Sequence, residues 1–108
     1  GPHAGFRRVR PAGPGSALNL PALAASAAGE PLAVPGGPFV VQELRARSAM
    51  TGTGPRWLLV LSGEVIVDLP GGDFRVLRRG DALHFPEGEG ATLSSVAAPA
   101  VLVWHASR

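Results

Sequence analysis

Four charged residues in the middle of the chain are spaced in a way that could bind an anion. Glu43, Arg45 and Arg47 alternate with Leu44 and Ala46, so on a β-strand the three charges share one face, and Arg56 follows after a flexible link. Guanidinium groups hold carboxylate or phosphate oxygens through forked hydrogen bonds. If that face lies inside a barrel, Glu43, Arg45, Arg47 and Arg56 line a ligand site. If it lies outside, the charges form a solvated row or salt bridges between subunits.

His84 is the one candidate for a catalytic residue, as a general base tuned by a protein interior. It alternates with Leu83 and Phe85, so it faces away from the core if those two residues face inward. An outward or interface histidine is therefore the alternative interpretation. His105 follows the last apolar run near the C-terminus. Both tryptophans are expected in the core or at its rim, the usual place of large aromatic side chains.

Composition excludes several classes of function. The chain has 108 residues, a net charge of +2 and no cysteine, so disulfides, thiolate chemistry and Cys-ligated metals are excluded. All ten basic residues are arginines, and the pI near 11.0 reflects this rather than a strong positive field, so we expect no nucleic-acid partner. No apolar run is long enough to span a bilayer and no secretory signal is visible, so we expect no membrane partner and a cytoplasmic location.

The remaining pattern predicts one domain with an N-terminal extension. Residues 1–15 are interpreted as the remnant of a removed tag followed by an irregular arm rich in Gly, Pro and Arg. Residues 16–37 form an extension with a short helix, which Asn19 caps and Gly29 stops, with Pro21 in its first turn. Residues 38–108 contain six or seven short strands separated by turn residues, as in a β-sandwich or barrel.

The stretch from Leu59 to Ala91 resembles the cupin superfamily. Residues 60–65, VLSGEV, are similar to the V-L-x-G-E strand–turn–strand of the first cupin motif, and residues 80–88, GDALHFPEG, are similar to G-D-x-x-x-x-P-x-G in the second. Gly63 and Gly80 suit the turns, and Asp81 can cap its turn with its side chain. The resemblance implies an all-β, cupin-like β-barrel (a double-stranded β-helix or jelly roll) with a short N-terminal helical or irregular extension.

The same resemblance locates the ligands of metal-bearing cupins, which are two His and a Glu in the first motif and a His in the second. The Glu position falls on Arg56 and the last His position on Ala91. The other two His positions fall on one of two pairs, Met50 and Gly52 or Ala49 and Thr51. None of these residues is a family ligand, and the fixed charge of Arg56 would repel a metal ion. We therefore expect no metal and no cofactor.

These observations predict a metal-free, cupin-like barrel that binds a small molecule, which the arginines would allow to be an anion, as a sensor or accessory protein. Two alternatives stay open: a metal-independent isomerase or cyclase, and a structural interaction module whose barrel is filled by side chains. The volume of the barrel cavity distinguishes the last from the first. Because cupins tend to pair through sheet faces or edge strands, a homodimer is expected.

Overall fold

A short helix begins the described part of the chain and covers one of the two sheets. The computed structural model describes residue 15, residues 17–49 and residues 54–106. Helix α1 spans Leu20–Ser26, and the Asn19 side chain accepts a hydrogen bond from the Ala22 N–H at 2.8 Å. Pro21 lies in the first turn, where its missing N–H removes no helical hydrogen bond. The predicted helix and its cap are confirmed, and Gly29 lies just beyond the helix with a φ of 95°.

The strands within the described residues form two antiparallel sheets. One sheet has five strands in the order β1-β2-β9-β4-β7, and the other has four in the order β3-β8-β5-β6. A 3-10 turn, Pro70–Gly72, joins β5 to β6. This all-β arrangement confirms the cupin-like barrel with a short helix. The strands are β1 Leu32–Ala33, β2 Phe39–Leu44, β3 Arg47–Ala49, β4 Arg56–Ser62, β5 Glu64–Asp68, β6 Phe74–Arg78, β7 Ala82–Phe85, β8 Thr92–Ser95 and β9 Ala100–Ala106.

Two expectations about the strands were wrong. The single strand expected to carry Glu43, Arg45 and Arg47 is interrupted, because the chain leaves the first sheet after Leu44 and enters the second at Arg47. Continuous alternation of charged and apolar residues gives no sign of such a change of sheet. Strand β1 was not predicted at all, since its two residues are too few for a period-two pattern. The described residues thus contain nine strands rather than six or seven.

The buried apolar residues form two clusters rather than the single core expected from the chain length. One cluster lies between the sheets, and the other lies where α1 packs on the outer face of the five-stranded sheet. The inter-sheet cluster consists of Leu44, Leu58, Val60, Val65, Val67, Leu77, Phe85, Leu93, Ala100 and Leu102. The second consists of Ala24, Val34, Val41, Val101 and Val103. The helix therefore belongs to the fold, because it covers apolar surface that would otherwise contact water.

The turns behave as the motif residues predict. Gly63 has a φ of 83° between β4 and β5. The Asp81 side chain accepts a hydrogen bond from the Arg78 N–H at 2.8 Å, so it caps the turn before β7. The Leu69 N–H donates to the Asp73 carbonyl at 2.8 Å and closes the loop between β5 and β6.

In the described part of the chain, no helix has the length and apolar character needed to cross a bilayer. The predicted arm, residues 1–15, lies outside the described residues except for Gly15. The domain boundaries at residues 15 and 37 therefore stay a prediction.

Candidate functional site

A cavity of about 430 Å³ lies at one end of the space between the sheets. Its wall combines inward-facing residues of five strands with the loop that joins α1 to β1. The lining residues are Gly29, Glu30, Pro31, Val40, Gln42, Ser48, Ala49, Arg56, Leu93 and Trp104. This volume lies in the range of small-molecule sites, and the wall mixes apolar surface with a few polar groups, as such sites do.

Arg56 is the charged residue that β4 directs into the barrel. It alternates with Trp57 and shares its face with the core residue Leu58, and only 8% of its surface is exposed. Nη1 donates to the Gly54 carbonyl, and Nη2 donates to the Glu89 carbonyl at 2.9 Å. These bonds join the segment before β4 to the loop between β7 and β8, and they fix the guanidinium in one orientation.

The charge of Arg56 is only partly compensated by its neighbours. Its Cζ atom lies 5.6 Å from the centroid of the Phe85 ring, a cation–π distance. Within residues 17–49 and 54–106 no carboxylate forms an ion pair with it, and its buried Nε finds no hydrogen-bond acceptor. A buried charge is costly unless an opposite charge or hydrogen bonds offset it. The part of the cavity wall beside Arg56 is therefore electrostatically suited to an anion.

Gln42, on β2, forms hydrogen bonds to β9 and to the loop between α1 and β1 beside the cavity. It faces the interior from β2 and is 8% exposed. Its Oε1 accepts a hydrogen bond from the Trp104 indole N–H at 3.2 Å, and its Nε2 donates to the Gly29 carbonyl at 3.5 Å. The carboxamide thus orients the half-buried indole and holds the loop between α1 and β1 against the barrel.

The structure separates Arg56 from the other predicted ligand-binding residues. Glu43 faces outward from β2, opposite to Leu44, and its Oε1 lies 2.7 Å from the Nε of Arg45. Arg45 and Arg47 line a different, open groove of about 460 Å³. The sequence prediction of one site containing all four residues thus corresponds to two places in the structure, and only the one with Arg56 lies in the barrel interior. Ligand binding at either place stays a prediction.

The proposed catalytic residue His84 lies on the outer face of the five-stranded sheet. It is exposed on β7, and its ring centroid is 5.0 Å from that of Trp57, which is 46% exposed rather than in the core. The cross-strand pairs continue from Trp57 to His105 and from His105 to Phe39. These residues form an aromatic row across four neighbouring strands. His84 does not line the cavity.

Several cavity residues were missed by the sequence analysis. Gln42, Glu30 and Ser48 were not singled out, and Trp104 was expected only as a core or rim residue. Gln42 carried a usable signal: it is a polar residue two positions before Leu44, so both lie on the inner face of one strand. Glu30 carried no signal, because its place depends on how the loop after α1 folds back over the barrel.

The described residues do not fit the metal that the fold implies. At the family's Glu and last His positions stand Arg56 and Ala91, and neither provides a donor to a metal ion. Across the described ranges, no group of three His, Asp or Glu side chains is close enough to hold an ion. Of the candidate positions for the other two histidines, Ala49 is described and offers no donor, whereas Met50, Thr51 and Gly52 lie outside the described residues.

Solved structures with similar folds support the assignment of the barrel. A protein from Neisseria meningitidis matches with a TM-score of 0.67 and 18% identity, over 85% of this chain and 100% of that one. Hydroquinone 1,2-dioxygenase from Sphingomonas sp. TTNP3, with 4-hydroxybenzoate bound, matches with a TM-score of 0.67 and 21% identity, over 82% and 71%. A cupin-2 domain protein from Shewanella frigidimarina matches with a TM-score of 0.60 and 10% identity, over 72% and 80%.

No protein-family model matches the sequence, and no curated protein matches it either. Some structural matches extend well beyond this chain: it spans 53% of a Salmonella typhimurium ethanolamine utilization protein, with a TM-score of 0.51 and 20% identity over 63% of its own residues. These identities are too low to carry over an activity, since one fold hosts many chemistries. The two antiparallel sheets, the turn residues of both motifs and the structural matches agree that this chain has the cupin fold.

Proposed function

We propose that this chain binds a small organic anion in the barrel cavity without a metal, as a sensor or accessory protein. The observation that carries the proposal is the buried Arg56 guanidinium, which lines the cavity and has no carboxylate partner among the described residues. A ligand carboxylate would supply the missing negative charge. The two carbonyl bonds already hold the guanidinium in place, so little side-chain entropy is lost on binding.

The rest of the wall favours an anion with an apolar body. Val40, Leu93 and Trp104 provide apolar and aromatic surface beside Arg56. An aromatic carboxylate satisfies both features, with its ring against the indole and its charged end toward the guanidinium. The structurally similar dioxygenase holds 4-hydroxybenzoate, which makes this compound a reasonable first probe.

The other functions predicted from the sequence have less support. The cavity of about 430 Å³ at one end of the barrel has room for a ligand, which a barrel completely filled by its own side chains would not have. An isomerase or cyclase that used His84 would need this side chain in the cavity, whereas it lies on the outer face of the sheet.

Calorimetric titration of the protein tests the proposal with 4-hydroxybenzoate and the neutral 4-hydroxybenzyl alcohol as probes. We expect the carboxylate to bind and the alcohol to bind at least about tenfold more weakly, because a charge-assisted hydrogen bond contributes roughly 1.5–3 kcal/mol. Arg56→Met should weaken carboxylate binding about 10- to 100-fold. Arg79→Met, a change at an exposed arginine outside the cavity, is the matched control and should bind like the wild type.

Equal affinity of the wild type for the carboxylate and the alcohol would contradict the proposal, and this comparison does not require the Arg56 variant to fold. Undiminished carboxylate binding by a folded Arg56→Met protein would also contradict it. Loss of binding in Arg47→Met instead would place the anion in the groove beside Arg45 and overturn the assignment to the barrel.

A further inference from the structure

A second charged side chain lines the cavity and has the opposite sign to Arg56. Glu30 lies in the loop between α1 and β1, and its side chain is exposed to solvent at the rim. Within the described residues, its carboxylate forms neither an ion pair nor a hydrogen bond. Arg56 and Glu30 do not pair with each other, although both line the same space. The cavity therefore has a buried positive group and a negative group at its entrance.

The loop that carries Glu30 is anchored at several points. The Glu30 N–H donates to the Ala27 carbonyl at 3.0 Å, and the preceding Gly29 carbonyl accepts from Gln42 at 3.5 Å. Two residues further, Leu32 pairs with Val41 as β1 joins the sheet. These contacts keep the backbone of Glu30 beside the cavity.

The surface around the two charges is largely apolar. Val40 and Leu93 contribute aliphatic surface, and Trp104 has its indole N–H engaged by Gln42. A ligand with an anionic end and an uncharged body would leave the Glu30 carboxylate next to its far end without a partner. A ligand that also carries an ammonium group would place an opposite charge near each of the two charged side chains, Arg56 and Glu30.

Resting on the proposed function, we infer that the cavity is suited to a zwitterion, an organic acid whose carboxylate faces Arg56 and whose ammonium group faces Glu30. Because Glu30 is exposed, its pairing with an ammonium group is screened by water and salt. Exposed ion pairs contribute up to about 1 kcal/mol, so the expected preference is about two- to fivefold in affinity.

Two near-isosteric probes test this inference. 4-(Aminomethyl)benzoate and 4-ethylbenzoate share the ring and the carboxylate, and they differ by an ammonium group in place of a terminal methyl. Their affinities are measured by calorimetric titration of the wild type, Glu30→Gln and Glu87→Gln. The last variant makes the same change at an exposed glutamate that does not line the cavity.

The quantity of interest is the change in the ratio of the two dissociation constants between wild type and variant, because the different hydration of the free probes cancels in this comparison. We expect Glu30→Gln to lower the preference for the amino acid about two- to fivefold, and Glu87→Gln to leave it unchanged. Raising the salt concentration should reduce the preference of the wild type toward that of Glu30→Gln. An unchanged ratio in Glu30→Gln, with both probes still binding, overturns this inference alone. If neither probe binds the wild type, both this inference and the proposed function are contradicted.

Discussion

Replacing Gly63 by alanine tests a close contact between the turn after β4 and the start of β9. Gly63 connects β4 to β5 with a φ of 83°, a conformation that an L-residue rarely adopts. A Cβ built on this residue would lie 2.8 Å from the Cα and 2.9 Å from the Cβ of Ala100, and 3.1 Å from the Pro99 carbonyl oxygen. Ala100 is fully buried at the start of β9, so it has no free space into which to move.

Two separate costs add in the Gly63→Ala protein. The left-handed backbone costs an alanine roughly 1–2 kcal/mol, and the lower conformational entropy of the unfolded alanine chain offsets about 0.4–1 kcal/mol of this cost. The net loss is therefore about 1 kcal/mol. Forcing a methyl group into a packed core adds about 1–3 kcal/mol. The expected loss of unfolding free energy is therefore about 2–4 kcal/mol, a large part of the roughly 5–15 kcal/mol that stabilises a typical domain.

Gly71→Ala is the matched control for the backbone cost. Gly71 has nearly the same φ, 87°, but nothing lies within 4 Å of a Cβ built on it. We expect Gly71→Ala to cost about 1 kcal/mol and to lower Tm by roughly 4–8 °C, and Gly63→Ala to lower it by roughly 10–30 °C. Urea unfolding followed by circular dichroism and a thermal scan measure both variants. Equal losses in the two proteins would show that contact with Ala100 does not require glycine at position 63.

Two further substitutions test hydrogen bonds at the turn and in the cavity wall. Asp81→Ala removes the acceptor for the Arg78 N–H, and we expect urea unfolding to show a loss of about 0.5–1.5 kcal/mol in unfolding free energy. Asp81→Asn keeps a side-chain oxygen and should lose less. Equal losses in the two variants would exclude a capping role for Asp81. Gln42→Leu leaves the Trp104 indole N–H and the Gly29 carbonyl without their partner, so we expect a loss of about 1–2 kcal/mol in unfolding free energy. The Trp104 indole resonance should also shift in the 15N–1H NMR spectrum. An unmoved resonance would contradict the hydrogen bond to Gln42.

Local sequence signals predicted the turns, the short helix and an all-β domain, and the resemblance of residues 60–65 and 80–88 to the cupin motifs predicted the fold. Gly63 and Asp81 act within a few residues of their own positions, and the alternation around Leu58 and Phe85 reports which face of a strand is buried. Asn19 likewise indicates the start of the helix, because its side chain accepts a hydrogen bond from the N–H of Ala22, three residues later. Such features need no knowledge of the rest of the molecule, so a single sequence reveals them.

The site was less predictable because it depends on contacts between distant segments. Arg56 was identified from the motif spacing, but its partner Glu89 lies 33 residues away, and the bond from Trp104 to Gln42 spans 62 residues. The alternation of Glu43, Arg45 and Arg47 looked like one polar face, yet the chain leaves the first sheet after Leu44 and enters the second at Arg47. No local pattern in the sequence carries that information.

The position of Arg56 is the reason that we propose an anion as the ligand of this barrel. In the resembled motif this position holds a carboxylate, which together with imidazoles neutralises a metal cation. Here the chain itself supplies the positive charge, held by two backbone carbonyls and the ring of Phe85. Carbonyl dipoles and an aromatic quadrupole stabilise a guanidinium without cancelling its net charge. In the proposed function, the single arginine at the start of β4 therefore reverses the sign of the charge that the barrel interior accepts.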